Sequence, residues 1–348
     1  MDTFNSIRDN ILRVGKDLSG LFSQVKSIPG MSDHSFEDWE SICNRIQKQI
    51  QIDIIRVAVV GPIKSGKSTF INALLKGDYL RRGAGVVTSI VTKIHKGSTQ
   101  KATLYFKSWD DVNADIDQTV VLFPLLQGRS EIGRFDIRRE KDRGSLKGAI
   151  DDLGSELVLE TGILNAGCVL ISNYLKGYEA IKDFVGVENK RVEYSDGNFA
   201  EHKTFVGDDS LSVYLKDIQL EIDSEILEEN IEIADCQGSD SPNPLHLAMI
   251  QDYLVLAHFI VYVVSSRIGL READIRFLSM IKKMGICDNI IFIVNFDFNE
   301  HDSVNDLNAL VEKIRQEISI IRPHPKLFTL SSLFNLFKSQ KNAFNAQR

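Results

Sequence analysis

The sequence predicts an α/β fold, a doubly wound and mostly parallel sheet with a helical extension before it and a helical insertion inside it. Three observations carry this. Short apolar runs at 54–60, 231–234, 259–264, 290–294 and 327–330 are separated by helical stretches. The runs are continuous in their hydrophobicity, which suits parallel strands covered on both faces. The first run, IIRVAVV, leads directly into Gly61-Pro62-Ile63-Lys64-Ser65-Gly66-Lys67-Ser68-Thr69, a full match to G-x-x-x-x-G-K-[ST]. Strands alternating with helices specify the doubly wound arrangement.

The first fifty residues read as two helices. Phe4, Ile7, Ile11, Leu18, Leu21, Phe22 and Val25 recur at three- and four-residue spacing and share one stripe. Pro29 and Gly30 interrupt it, and Phe36, Trp39, Ile42, Cys43 and Ile46 begin a second stripe. Two helices packed on the following domain and a neck-like element are equally compatible with this pattern. Further strands are expected at 87–94, 102–106 and 213–222, the last alternating and therefore half exposed. Residues 108–206 read as an insertion with helical patterns, among them 157–184. The organisation is thus 1–50 helical extension, 51–335 nucleotide domain with its insertion, and 336–348 helical tail.

Composition narrows the function classes. The 348 residues carry 43% hydrophobic and 26% charged side chains, ordinary for a soluble globular protein. A formal charge of −7 and the lack of a basic, aromatic-interleaved segment argue against a nucleic-acid partner. The 4 cysteines, Cys43, Cys168, Cys236 and Cys287, are dispersed and read as reduced core residues. The N-terminus has no basic-then-apolar leader pattern. The most apolar stretch, 247–265, contains Gln251, Asp252 and His258 and reads as a buried helix followed by a core strand. The expected compartment is the cytoplasm.

Four segments carry the chemistry. In the 61–69 loop, backbone N–H groups wrap a phosphate chain, and the glycines permit the close approach. Lys67 neutralises the β- and γ-phosphates, Ser68 offers its hydroxyl to Mg²⁺, and the helix starting near Ser68 aims its positive end at the phosphates. Next, RRGAGVVT offers Thr88 as a hydroxyl on a segment made flexible by Gly83 and Gly85, able to close over the metal. Third, Asp235-Cys236-Gln237-Gly238 follows a strand: Asp235 can hold Mg²⁺ through water and Gly238 can offer its N–H to the γ-phosphate. Ser239, not Gln, follows Gly238. Last, guanine reading commonly uses [NT]-K-x-D after a strand, whereas this chain has Asn295-Phe296-Asp297-Phe298. Asn295 fits; Phe296 and Phe298 stand in the Lys and Asp places. Asp297 can reach the base from a shifted turn, or simply start the next helix. Ser331, after the final strand, lies where a base-contacting loop belongs.

Together, GPIKSGKST, RRGAGVVTSIVTKI and DCQGSDSPNP resemble the GTPase domain of the dynamin superfamily, especially bacterial dynamin-like proteins, over about residues 52–335. The resemblance implies hydrolysis of GTP to GDP and phosphate with Mg²⁺. It implies nucleotide binding by Gly61, Ile63, Lys64, Ser65, Gly66, Lys67, Ser68, Thr69, Gly238, Asn295, Asp297 and Ser331. The implied metal site is Ser68, Thr88 and Asp235, and the implied catalytic set is Lys64, Lys67 and Thr88. Lys64 holds the loop position where relatives place an internal arginine finger or a residue that fixes a charge-compensating cation. A homodimer across the nucleotide face, coupled to membrane remodelling, is implied as well, with peripheral membrane association through regions not present in this sequence. The chain ends soon after Ser332, as expected of either a piece of a longer protein or a minimal member. Three departures stand out: Cys236-Gln237 in place of an apolar-Pro pair, the apolar Ile63, and the degraded base motif. They keep open a nucleotide-gated scaffold with little hydrolysis and an NTPase not specific for guanine.

Overall fold

The computed structural model of the chain describes residues 2–26, 34–51, 54–82, 90–121, 134–156, 162–236, 238, 240 and 244–346. It divides into two compact units, Met1–Ile55 and Arg56–Arg348. In the first, α1 (Asp2–Lys26) packs on α2 (His34–Gln51), with the Phe22 and Trp39 rings 5.9 Å apart and the Ser23 hydroxyl 3.4 Å from a Glu40 carboxylate oxygen. The apolar spacing seen in the sequence produces this pairing, yet Ile7, Ile11, Leu18 and Leu21 remain exposed. Pro29 and Gly30 lie outside the described residues.

The second unit is built on a 9-stranded sheet of order β4-β3-β5-β2-β6-β1-β7-β8-β9. In chain order the strands are β1 (Ile55–Val60), β2 (Thr92–Lys96), β3 (Lys101–Phe106), β4 (Arg191–Ser195), β5 (Leu215–Ile222), β6 (Ile231–Asp235), β7 (Phe259–Ser265), β8 (Ile290–Asn295) and β9 (Lys326–Leu330). The β1, β7, β8 and β9 half is parallel throughout. On the other side β2 runs parallel to β5 but antiparallel to β6, and β3 is antiparallel to both β5 and β4. The interleaved helices are α3 (Lys67–Leu74), α4 (Trp109–Val120), α5 (Glu140–Glu156), α6 (Gly162–Ile181), α7 (His202–Gly207), α8 (Asp209–Ser212), α9 (Pro244–Leu256), α10 (Glu272–Lys283), α11 (Val304–Ile321) and α12 (Ser332–Ala346).

Alternate side chains of the apolar runs are buried on opposite faces. Val59, Val261, Val263 and Ile293 join one core with Ile71, Ile116 and Tyr174. Ala58, Val60, Ile260 and Val264 join the other with Ile250, Leu254, Phe277 and Ile314. Each fully buried aliphatic contributes about 1.5–3 kcal/mol, so strands apolar on both faces are held from both sides.

The 108–206 segment is more than a helical interruption. It contributes β4, which extends the sheet by pairing with β3, and its helices feed the first core. Lys107 fixes this attachment: its ammonium donates to Asp115 at 2.7 Å, to the Tyr174 hydroxyl at 2.9 Å and to the Val213 carbonyl at 2.7 Å. The Tyr174 hydroxyl in turn donates to Asp115 at 2.6 Å, and burial pushes that phenol well above its ordinary pKa. The β4 sequence RVEYS offers only two apolar residues among charged ones, as an edge strand can, and so gives no apolar run to read. The strand expected over 87–94 enters its ladder only at Thr92; Ile90 and Val91 are buried ahead of it, and 87–89 lie outside the described residues. The C-terminal helix starts at Ser332, earlier than the 336 read from sequence, and buries Leu336.

Candidate nucleotide-binding site

The loop between β1 and α3 is shaped by three left-handed residues: Gly61 at φ 149°, Lys64 at φ 64° and Gly66 at φ 93°. Two of them must be glycine for reasons of space as well as torsion. A Cβ at Gly61 would stand 2.3 Å from the Val263 carbonyl oxygen, and one at Gly66 would stand 2.1 Å from Asn295 Nδ2. Lys64 has no such licence, and holding an L-residue there costs about 1–2 kcal/mol. The loop closes through Ser65 N–H to the Pro62 carbonyl at 3.2 Å, and α3 begins with Gly66 as its N-cap and no side-chain cap. Its first N–H groups and dipole are therefore available to an anion. Thr69 lies in the first turn of α3, partly buried.

Lys67 is buried, and its ammonium donates back to the Gly61 and Pro62 carbonyls at 2.9 and 2.8 Å. Burial lowers its pKa, while the charges of Asp235 and Asp240 act the other way. Ser68 donates its hydroxyl to Asp235 Oδ2 at 2.6 Å, joining residues 167 positions apart. Asp235 closes β6 and is buried; burial pushes its carboxyl up, against Lys67 and the Ser68 hydrogen bond. Among the described residues, Asp235 Oδ1 and Ser65 Oγ are buried without a hydrogen-bond partner. A hydroxyl beside a carboxylate with an unused oxygen is an oxygen donor pair that suits a hard cation that keeps waters and takes phosphate oxygens, as Mg²⁺ does. Gly238, buried at φ 56°, follows three residues on. Thr88, with Gly83 and Gly85, lies outside the described residues.

Two residues that no motif singles out complete the loop. Asp240 accepts the Ile63 N–H at 2.7 Å and Arg271 Nη2 at 2.6 Å. Arg271 is itself anchored, its N–H donating at 2.9 Å to Asp274, which also accepts the Tyr262 hydroxyl at 2.7 Å. Ile63 thus enters the site through its backbone. The only available sequence signal was an acidic residue two places after Gly238.

At the other end of the site, Asn295 ties three segments together. Its Nδ2 donates to the Ser65 carbonyl and its Oδ1 accepts the Ser332 N–H, both at 3.0 Å. Asp297 accepts the Asn299 N–H at 3.1 Å and caps a short turn over Phe298–Glu300. The Ser331 hydroxyl accepts the Phe334 N–H at 3.3 Å at the start of α12. The structure therefore gathers Gly61, Ile63, Lys64, Ser65, Gly66, Lys67, Ser68, Asp235 and Asn295 at the carboxyl ends of β1, β6 and β8, and gives Asp297 and Ser331 local backbone partners in the turns after β8 and β9.

Comparison with known proteins identifies relatives of the chain. The Bacillus subtilis protein named Dynamin-like protein A is 26% identical over 310 residues, spanning 86% of this chain and 24% of the relative. Dynamin-like protein 1 of Campylobacter jejuni is 24% identical over 245 residues, covering 69% and 27% of the two chains. The chain thus spans about a quarter of the length of these curated relatives. A solved structure described as an oligomerised bacterial dynamin pair, offered as a mechanism for long-range sensing and tethering of membranes, shares the fold. It has a TM-score of 0.53 and 16% identity over 97% of this chain and 51% of that one. The family model described as "Dynamin family" matches residues 57–297, from the middle of β1 to the turn that follows Asn295. The chain belongs to the dynamin family, whose members are P-loop GTPases.

Proposed function

We propose that the chain hydrolyses Mg²⁺-bound GTP to GDP and phosphate, and that two nucleotide domains meet during the cycle. The observation that carries this is the Ser68–Asp235 contact at 2.6 Å beside the loop, with the second Asp235 oxygen unpartnered. A hydroxyl and a carboxylate placed there are the two protein ligands a phosphate-bound cation requires. Ser68 and Asp235 would hold Mg²⁺, which would supply positive charge to offset that of the phosphate oxygens. Lys67 exchanges its two loop carbonyls for phosphate oxygens, so its ammonium keeps its hydrogen bonds throughout. The N-terminal N–H groups of α3 and the loop N–H groups orient the phosphates, Gly238 offers its N–H to the γ-phosphate, and Thr88 is the switch threonine that the family resemblance assigns to the metal. The site works by positioning and charge, which suits phosphoryl transfer.

The residue after Gly238 is Ser239, so charge on the transferring group needs another counter-charge. Lys64, exposed on the loop and the one lysine there besides Lys67, is the candidate, set in place when a second domain covers it. Self-association is supported by the description of the matching solved structure as an oligomerised pair. Its stated role in sensing and tethering membranes supports membrane remodelling, with a cytoplasmic protein acting peripherally. No helix among the described residues is long and apolar enough to cross a membrane. The test is phosphate release per molecule over a wide dilution series. A rise of tenfold or more with concentration, lost in Lys64→Ala while GTP affinity is kept, is expected. A flat rate, unchanged in Lys64→Ala, would leave a slow monomeric hydrolase.

A further inference from the structure

The phosphate loop is braced on both sides of its strained lysine. Lys64 sits at φ 64°, a setting that an L-residue keeps only where its neighbours are fixed. On one side the Ser65 N–H donates to the Pro62 carbonyl at 3.2 Å, and the Ser65 carbonyl accepts Asn295 Nδ2 at 3.0 Å. On the other side the Ile63 N–H donates to Asp240 Oδ1 at 2.7 Å. Asp240 belongs to the segment after β6, two residues beyond Gly238, whose N–H is the one read as meeting the γ-phosphate. One carboxylate therefore joins the strained part of the loop to the γ-phosphate side of the site.

Asp240 is itself held. Its Oδ2 accepts Arg271 Nη2 at 2.6 Å, and Arg271 Nε lies 3.5 Å from Asp274 Oδ2. Asp274 is fully buried and also accepts the Arg271 N–H at 2.9 Å and the Tyr262 hydroxyl at 2.7 Å. Helix capping explains the bond to the Arg271 N–H, since Arg271 is the N-cap of α10. Capping asks nothing of the Arg271 side chain, which nevertheless reaches a residue 31 positions away. A bare carboxylate against a phosphate loop would repel the anion that the loop serves, and a paired guanidinium offsets that charge. The pairing lets an acidic side chain brace an anion site.

We propose that Asp240, oriented by Arg271, is a positioning residue for γ-phosphoryl transfer: it fixes Ile63 and so aims Lys64, leaving the loop N–H groups from Ser65 onward to hold the nucleotide. This rests on the hydrolysis and the Lys64 counter-charge proposed above. The test uses the full chain at high concentration with Mg²⁺, and measures phosphate release at saturating GTP beside GDP affinity. The variants are Asp240→Ala, Asp240→Asn, Arg271→Ala, Lys64→Ala and the double variant Asp240→Ala with Lys64→Ala. A misplacement of about 1 Å can cost on the order of a hundredfold in rate. Asp240→Ala and Arg271→Ala should therefore lower turnover about tenfold or more, with GDP affinity within about twofold of the parent. Asp240→Asn keeps an acceptor for the Ile63 N–H and should lose less. The double variant should turn over at the rate of Lys64→Ala alone, because a residue that acts by aiming Lys64 then has nothing to aim. Three results would overturn the inference and, with Lys64→Ala still slow, leave the function above standing. They are turnover in Asp240→Ala within about twofold of the parent, GDP affinity lost as steeply as turnover, and losses that multiply in the double variant. Unchanged turnover in Lys64→Ala would remove the counter-charge and the inference with it. Absence of phosphate release by the parent would overturn the hydrolysis and everything resting on it.

Discussion

Asn295→Ala removes the clasp between the phosphate loop and the two base-end turns, and its cost can be worked from the partners it abandons. Ser65 is 1% exposed and Ser332 is 0% exposed, so water cannot readily replace the amide at the Ser65 carbonyl or the Ser332 N–H. Leaving a buried polar group unpartnered costs about 1–3 kcal/mol. Two such groups, eased by some local relaxation, give about 2–4 kcal/mol, a large share of the 5–15 kcal/mol typical of a folded protein. Asn295→Asp should cost at least as much, because it keeps the acceptor for Ser332 but turns a carboxylate oxygen toward the Ser65 carbonyl. The chain has 2 tryptophans, and Trp109 lies buried in the larger unit while Trp39 belongs to the smaller. In a Trp39→Phe background, urea unfolding followed by fluorescence therefore reports on the Arg56–Arg348 unit alone. Both variants should also weaken GTP binding, since the loop that wraps the phosphates loses a support at Ser65. A change below about 0.5 kcal/mol in unfolding free energy for Asn295→Ala would refute this reasoning, because such values are typical of surface substitutions.

Two further outcomes follow from local geometry. Lys64→Gly should stabilise the fold by about 1 kcal/mol, since glycine adopts φ 64° without strain, while lowering turnover; urea unfolding and phosphate release check the two halves separately. Asp136 is held at a pKa of about 2 by hydrogen bonds from Arg138, whose Nη2 lies 2.7 Å away, below the ordinary carboxylate value near 4. Its folded-state pKa is depressed, so its contribution is complete above about pH 4 and fades as pH falls toward 2. Asp136→Asn should therefore be about 1 kcal/mol less stable than the parent at pH 7 and indistinguishable from it near pH 2, as measured by chemical unfolding across that range.

What could be read in the sequence follows from how much local pattern each element carries. The parallel half of the sheet was legible because strands such as FIVYVVS bury both faces and leave an unbroken apolar run. The loop at 61–69 was legible because its glycines answer to steric demands that no other residue meets, as at Gly61 against Val263 and Gly66 against Asn295. β4 was not legible: an edge strand with charged residues at alternate positions looks like loop until its partner β3 is known. The Asp240–Arg271 bridge was not legible either, because a hydrogen bond between residues 31 positions apart depends on the strand order that brings β6 and β7 beside β1. Asp297 shows the reverse case. Its spacing suggested a base contact, while the chain also uses its carboxylate to cap the next turn.

The central claim is that the loop from Gly61 to Ser68, with Asp235, is a metal-dependent site for cleaving a nucleoside triphosphate. It is tested most directly by steady-state release of inorganic phosphate from GTP, with Mg²⁺ or with EDTA, comparing the parent chain with Lys67→Ala and Ser68→Ala. Phosphate release by the parent in Mg²⁺ alone is predicted, with both variants reduced at least a hundredfold. Equal release by the parent and Lys67→Ala, or release by the parent that persists unchanged in EDTA, would contradict it.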